Sequence, residues 1–123
     1  MFKPLHAVVE TPEFLRQARG LLDDDERTAL VDWLAAHPTA GDMMVGTGGA
    51  RKLRWAAKGK GKSGGVRAVT YYSGSGVPVF LLSVFGKHEK ANLTPAERNE
   101  LRTVLALLVQ EYRKGVRRRV KGR

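Results

Sequence analysis

Apolar and polar residues recur along the chain at two different periods, and the points where the period changes divide it into elements. LHAVVE (5–10) alternates weakly, is rich in valine and reads as a short strand. Thr11 then supplies an N-cap and Pro12 sits at the first helical position, where its missing N–H costs nothing. Phe14, Ala18 and Leu21 or Leu22 follow at helical spacing, which predicts a helix over about 12–22. The run Asp23-Asp24-Asp25-Glu26 suits the positive end of a second helix, whose buried stripe is expected at Leu30, Trp33 and Leu34 and whose stop is His37-Pro38.

After Gly41 the period becomes two. In RKLRWA (51–56), Leu53 and Trp55 face one way while Lys52 and Arg54 face the other, as in a half-buried strand with a basic outer face. VRAVTYYS (66–73) is a second strand, SGSG (73–76) a turn, and VPVFLLSVFG (77–86) a third strand apolar enough to be covered on both faces. Helical period returns at Thr94-Pro95-Ala96-Glu97, a capping box with proline at its first position. Leu101, Val104, Leu105, Leu108 and Tyr112 continue it to Gly115, a stop signal. The expected fold is α+β: strand, two helices, a three-stranded antiparallel meander and a C-terminal helix. It forms one domain over residues 1–115, followed by a basic tail over 116–123.

Composition narrows the class. The 123 residues are enough for one modest core, and the hydrophobic fraction of 42% is that of a folded domain. The absence of cysteine excludes a disulfide framework and thiolate metal sites, and fits a reducing compartment. The longest late apolar run, Val104 to Val109, is far short of the ~18 residues of a membrane span. The start meets acids almost at once and lacks the apolar core of a signal peptide. A soluble cytoplasmic protein with no membrane partner is therefore expected.

Charge changes the picture more. The formal net charge is +10, yet residues 1–50 hold four Lys/Arg against eight Asp/Glu, and residues 51–123 hold eighteen against four. Such asymmetry points to a polyanionic partner. It centres on WAAKGKGKSGGVR (55–67). A nucleotide-binding loop would need a glycine five residues before Gly61 and a helix after Ser63. Ala56 occupies the first position, and the β-rich VRAVTYY follows. That motif fails. The alternative is a glycine-rich hairpin loop carrying Lys58, Lys60 and Lys62 between two basic strands, with seven Lys/Arg and no acid over 51–67. Glycines allow close approach to a phosphate chain and the lysines neutralise it. Tyr71, Tyr72, Phe80 and Phe85 are either core residues or surfaces for stacking bases.

GTGGARKLRWAAKGKGKSGGVRAVTYY followed by VPVFLLSVFGKHEKANLTPAERNEL resembles the HigB-type branch of the RelE/ParE toxin superfamily, over roughly residues 41–105. The resemblance implies the toxin of a bacterial type II toxin–antitoxin pair: a ribosome-dependent endoribonuclease, or mRNA interferase, that inhibits translation without metal or organic cofactor. It implies as partners the ribosome with its mRNA and a cognate antitoxin, of helix-turn-helix type and encoded by the adjacent gene. Carried over residue by residue, the catalytic set is Lys52, Arg54, Arg67, Lys87 and His88. RNA and ribosome contacts are expected from Arg51, Lys58, Lys60, Lys62, Lys90, Arg117, Arg118 and Arg119. Two departures stand out. Position 88 is histidine where relatives often carry arginine or an amide, and EKANLT lacks the tyrosine that often follows.

In metal-free cleavage the ribose 2′-OH attacks its neighbouring phosphate, which requires alignment, a base, a cation at the phosphate and an acid for the leaving oxygen. Arg54 and Arg67 suit the phosphate, Lys52 the base, and His88 either the acid or no catalytic task. Two other readings fit the same residues: a ParE-like toxin acting on DNA gyrase without nuclease chemistry, and a non-toxic RNA- or ribosome-binding module.

Overall fold

The computed structural model describes residues 5–57, 65–74, 76–86 and 93–121, the last six of these as backbone only. The elements are β1 (Val8–Glu10), α1 (Pro12–Ala18), α2 (Asp24–Ala36), β2 (Asp42–Met43), β3 (Ala50–Trp55), β4 (Val66–Tyr71), β5 (Val79–Gly86) and α3 (Pro95–Lys121). The strands form one mixed sheet in the order β1-β5-β4-β3-β2. β1 runs parallel to β5, and the other pairings are antiparallel. The α+β class, the element order and the meander are as the sequence predicts, with β2 added at one edge.

Local chemistry accounts for the helix starts. The Thr11 hydroxyl accepts from the Phe14 N–H at 3.3 Å and donates to the carbonyl of Leu81 at 2.9 Å, so one side chain caps α1 and ties it to β5. Asp23 and Glu26 form a reciprocal capping box on α2, as do Thr94 and Glu97 on α3. Helix α1 ends at Ala18, short of the expected 22, and is followed by a turn in which the N–H groups of Leu21 and Leu22 both donate to the Ala18 carbonyl. Leu22 is nonetheless buried.

The sheet separates two apolar clusters. On one face Phe14, Ala18, Leu30 and Leu34 pack against Val66, Ala68, Val79, Leu81 and Val84. On the other, Leu105 of α3 packs against Ala50 and Val69, flanked by Tyr71, Leu82 and Phe85. Trp33 does not join the buried stripe of α2. It is 44% exposed and stacks on His37 with ring centroids 3.9 Å apart, because Leu30 and Leu34 already fill the space beneath the helix.

Helix α3 also departs from expectation. It passes through Gly115 and continues to Lys121. An interior glycine costs only about 1 kcal/mol relative to alanine, and Gly115 lacks the left-handed conformation that ends helices. The start of α3 is moored by Arg98, whose guanidinium donates to the Val45 carbonyl at 2.6 Å. Further along, Tyr112 meets Phe80 edge-on at 6.3 Å. No helix among the described residues is long and apolar enough to cross a membrane.

A cationic sheet face as the candidate nucleic-acid interface

Strand register builds the site. On the α3 face of the sheet, Arg54 pairs with Arg67 and Arg67 with Phe85, forming one row across β3, β4 and β5. The next row is Lys52, Val69 and Ser83; the one beyond it is Ala50, Tyr71 and Phe80. Successive rows lie two residues apart on β3 and β4, or about 6–7 Å. Burial falls along β3, while on β4 the middle residue Val69 is the most buried of the three. Ala50 and Phe80 are buried beneath α3, Lys52 and Ser83 are half-buried, and Arg54 is exposed. The helix therefore covers one end of the face and leaves the arginine end open.

Two local features set that register. Gly65 lies against the end of β3, where a Cβ would sit 2.6 Å from the Trp55 carbonyl oxygen, so only glycine lets β4 begin this close. A bulge in β5 then resets its faces: Val69 pairs with Ser83 but Thr70 with Leu81, leaving Leu82 as the extra residue. Leu82 and Ser83 consequently point into the same groove, while Leu81 and Val84 both enter the opposite core. Helix α1 satisfies the disturbed backbone, because Gln17 accepts the Val84 N–H at 2.9 Å and Thr11 binds the Leu81 and Leu82 carbonyls.

Arg54 and Arg67, as direct cross-strand partners, have Cβ atoms about 5 Å apart, a like-charge pairing that disfavours the sheet. Among the described residues no carboxylate pairs with either. Among the described residues the Arg67 guanidinium makes one long contact, 3.3 Å to the neighbouring Val66 carbonyl. Lys52 adds its ammonium one row further in.

Other expected residues fall elsewhere. Arg51 has the opposite strand parity and donates to the Gly41 carbonyl at 3.2 Å, away from the arginine row. Lys58, Lys60, Lys62, Lys87, His88 and Lys90 lie outside the described residues. Trp55, Val66 and Gly86 form the last row of the sheet, so the β3–β4 connection and the segment after β5 both start from the arginine end. Arg117, Arg118 and Arg119 belong to the last turns of α3, described as backbone. Of the aromatics, Phe80 is a core residue, Tyr71 and Phe85 flank the α3-side core, and Tyr72 packs on the opposite one.

One feature escaped the sequence: a groove of about 680 Å³ beside the arginine row, between the sheet, α1 and α3. Lys52, Val69, Ser83 and Phe85 form its floor, Leu101, Val104 and Glu100 one wall, and Glu13 and Gln17 the other. Glu97 reads in the sequence only as a capping-box residue, and nothing in the spacing of Glu13 and Glu97 announces that both line one cavity.

This architecture defines a small α+β protein with a cationic sheet face, left uncovered at one end by a C-terminal helix. A family model, the RelE toxin of the RelE/RelB toxin–antitoxin system, matches residues 8–121. The chain belongs to the RelE toxin family. It is thus the toxin of a toxin–antitoxin system, and membership implies a cognate antitoxin as its partner.

Proposed function

We propose that this toxin is a HigB-type, ribosome-dependent endoribonuclease that cuts mRNA without a metal ion. The observation that carries the proposal is the Arg54–Arg67 row: two guanidinium groups opposed on the open part of the sheet, at an electrostatic cost that a bound phosphate offsets. Both come from rigid strands, so the ligand meets preorganised donors.

In this reaction the 2′-oxygen attacks the adjacent phosphorus as its proton passes to a base. The P–O5′ bond breaks, leaving a 2′,3′-cyclic phosphate on one fragment and, after protonation, a 5′-hydroxyl on the other. Arg54 and Arg67 hold the non-bridging oxygens and stabilise the charge that grows on the pentavalent phosphorus. Lys52, one row inward, is the proposed base. Lys87 and His88 follow β5 directly from the same end of the sheet; we assign Lys87 to the phosphate and His88 to protonation of the leaving oxygen. Lys58, Lys60, Lys62 and Lys90, with Arg117, Arg118 and Arg119, supply non-specific attraction to ribosomal RNA. The ribosome contributes by fixing the mRNA, which confines cutting to its decoding site.

Primer extension on cellular mRNA after induced expression tests the proposal. Cuts phased to the reading frame, lost in Arg67→Ala, support it. DNA damage without RNA cuts would instead assign the chain to gyrase inhibition, and neither outcome would leave a binding module.

A further inference from the structure

We infer that the groove beside the arginine row is a nucleobase site, holding the base of the nucleotide whose phosphate rests on Arg54 and Arg67, with Glu100 receiving the exocyclic amino group of adenine or cytosine. This deepens the RNA-binding reading and rests on it. Three observations converge.

The first is spacing. From the row of Arg54, Arg67 and Phe85 to the row of Lys52, Val69 and Ser83 is about 6–7 Å, comparable with the reach from a nucleotide's phosphate across its ribose to its base. A phosphate on the arginines therefore delivers its own base to the floor of the groove.

The second is surface. The cavity of about 680 Å³ lies within the ~300–1,000 Å³ of sites that take small organic ligands. Its lining is mainly apolar, with the half-buried Phe85 at the arginine end of the floor and Leu101 and Val104 on the wall. Val104 remains 48% exposed although it faces this cavity, so α3 leaves its apolar surface open to an occupant. A planar base covers such a surface by stacking and dispersion.

The third is polarity. Arg54 and Arg67 stand in the row beyond one end of the groove, Lys52 lies on its floor, and the carboxylates Glu13, Glu97 and Glu100 line its walls. A phosphate chain running down the groove would meet those carboxylates, whereas a nucleotide oriented phosphate-out and base-in matches them. Glu13 is engaged by Arg16 and Gln17, and Glu97 by the cap of α3. Glu100 makes no hydrogen bond or ion pair among the described residues, so its carboxylate is available to accept from an amino group.

Amide NMR titration of the full chain with 5′-AMP, 5′-CMP, 5′-UMP and inorganic phosphate tests the assignment. AMP and CMP are expected to shift the signals of Ser83, Phe85 and Val104, which phosphate alone leaves in place. Glu100→Gln should weaken AMP and CMP about tenfold relative to UMP. Nucleotide shifts confined to Arg54 and Arg67, or an unchanged order of affinities in Glu100→Gln, would overturn the base site. The two readings fail separately. Phased mRNA cuts with a silent groove leave the nuclease without this site, and a filled groove in a protein that cuts nothing leaves the site without the nuclease.

Discussion

Arg54 and Arg67 are direct cross-strand partners on the open face of the sheet, and among the described residues neither has a carboxylate to offset the other. Like charges placed opposite each other in a sheet cost about 0.2–1 kcal/mol. A sheet selected only for stability would place an acid or a threonine at one position. Arg67→Gln should accordingly leave the melting temperature unchanged or raise it by a few degrees, while cleavage falls by about a hundredfold or more. Thermal melts and cleavage assays on the same preparation check both halves.

Gly65 sets the same pair by permitting close approach. Gly65→Ala places a methyl against the Trp55 carbonyl, which must move to accommodate it. A loss of about 1–3 kcal/mol is expected by chemical denaturation. The loss of cleavage should exceed that of a stability-matched core variant such as Leu105→Val, because Arg67 lies only two residues along β4.

Much of this arrangement is legible in the sequence, and the limit has a physical cause. Alternation in RKLRWA places Lys52 and Arg54 on one face, and the glycines before Val66 bound the next strand, but that Arg67 stands opposite Arg54 is set by the strand register, which the sequence does not show. The capping boxes were equally plain, because every participating residue is local. What alternation does not carry is the extra residue at Leu82. VPVFLLSVFG is apolar throughout, so a one-residue bulge leaves no trace in its pattern, yet it decides that Ser83 and Phe85 face the arginines. The groove is likewise formed by residues far apart in the chain. Trp33 stays outside the buried stripe for a related reason: periodicity marks a helical face, and tertiary packing decides how wide its buried part is.

The bulge gives a prediction of its own. Gln17→Leu removes the acceptor for the Val84 N–H and should destabilise the fold by about 1–3 kcal/mol. It should also reduce cleavage in the fraction that remains folded, since β5 carries the floor of the groove. Retained protection of the Val84 amide in hydrogen exchange would contradict this.

Thr70 behaves oppositely. Its hydroxyl is fully buried and has no hydrogen-bond partner among the described residues. Thr70→Val replaces an unsatisfied polar atom by a methyl of similar size and should stabilise the protein by about 1 kcal/mol with cleavage unchanged. A loss of stability in denaturant titration would show that the hydroxyl has a partner after all.

The C-terminal turns of α3 add Arg117, Arg118, Arg119 and Lys121 to the sequence of this helix. Deleting residues 116–123 removes Arg117, Arg118, Arg119, Lys121 and Arg123 and should flatten the dependence of ribosome affinity on salt. An unchanged slope would mean that this end of the helix contacts no RNA.

The central claim is that Arg54 and Arg67 grip one and the same phosphate. Single-turnover cleavage on mRNA-programmed ribosomes by the wild type, Arg54→Ala, Arg67→Ala and the double variant measures it directly. Each single variant should lose about a hundredfold or more, and the double variant little beyond the worse single one, because two donors to one charge act as a unit. A single variant within twofold of the wild type, or fully multiplicative losses in the double variant, would contradict the account.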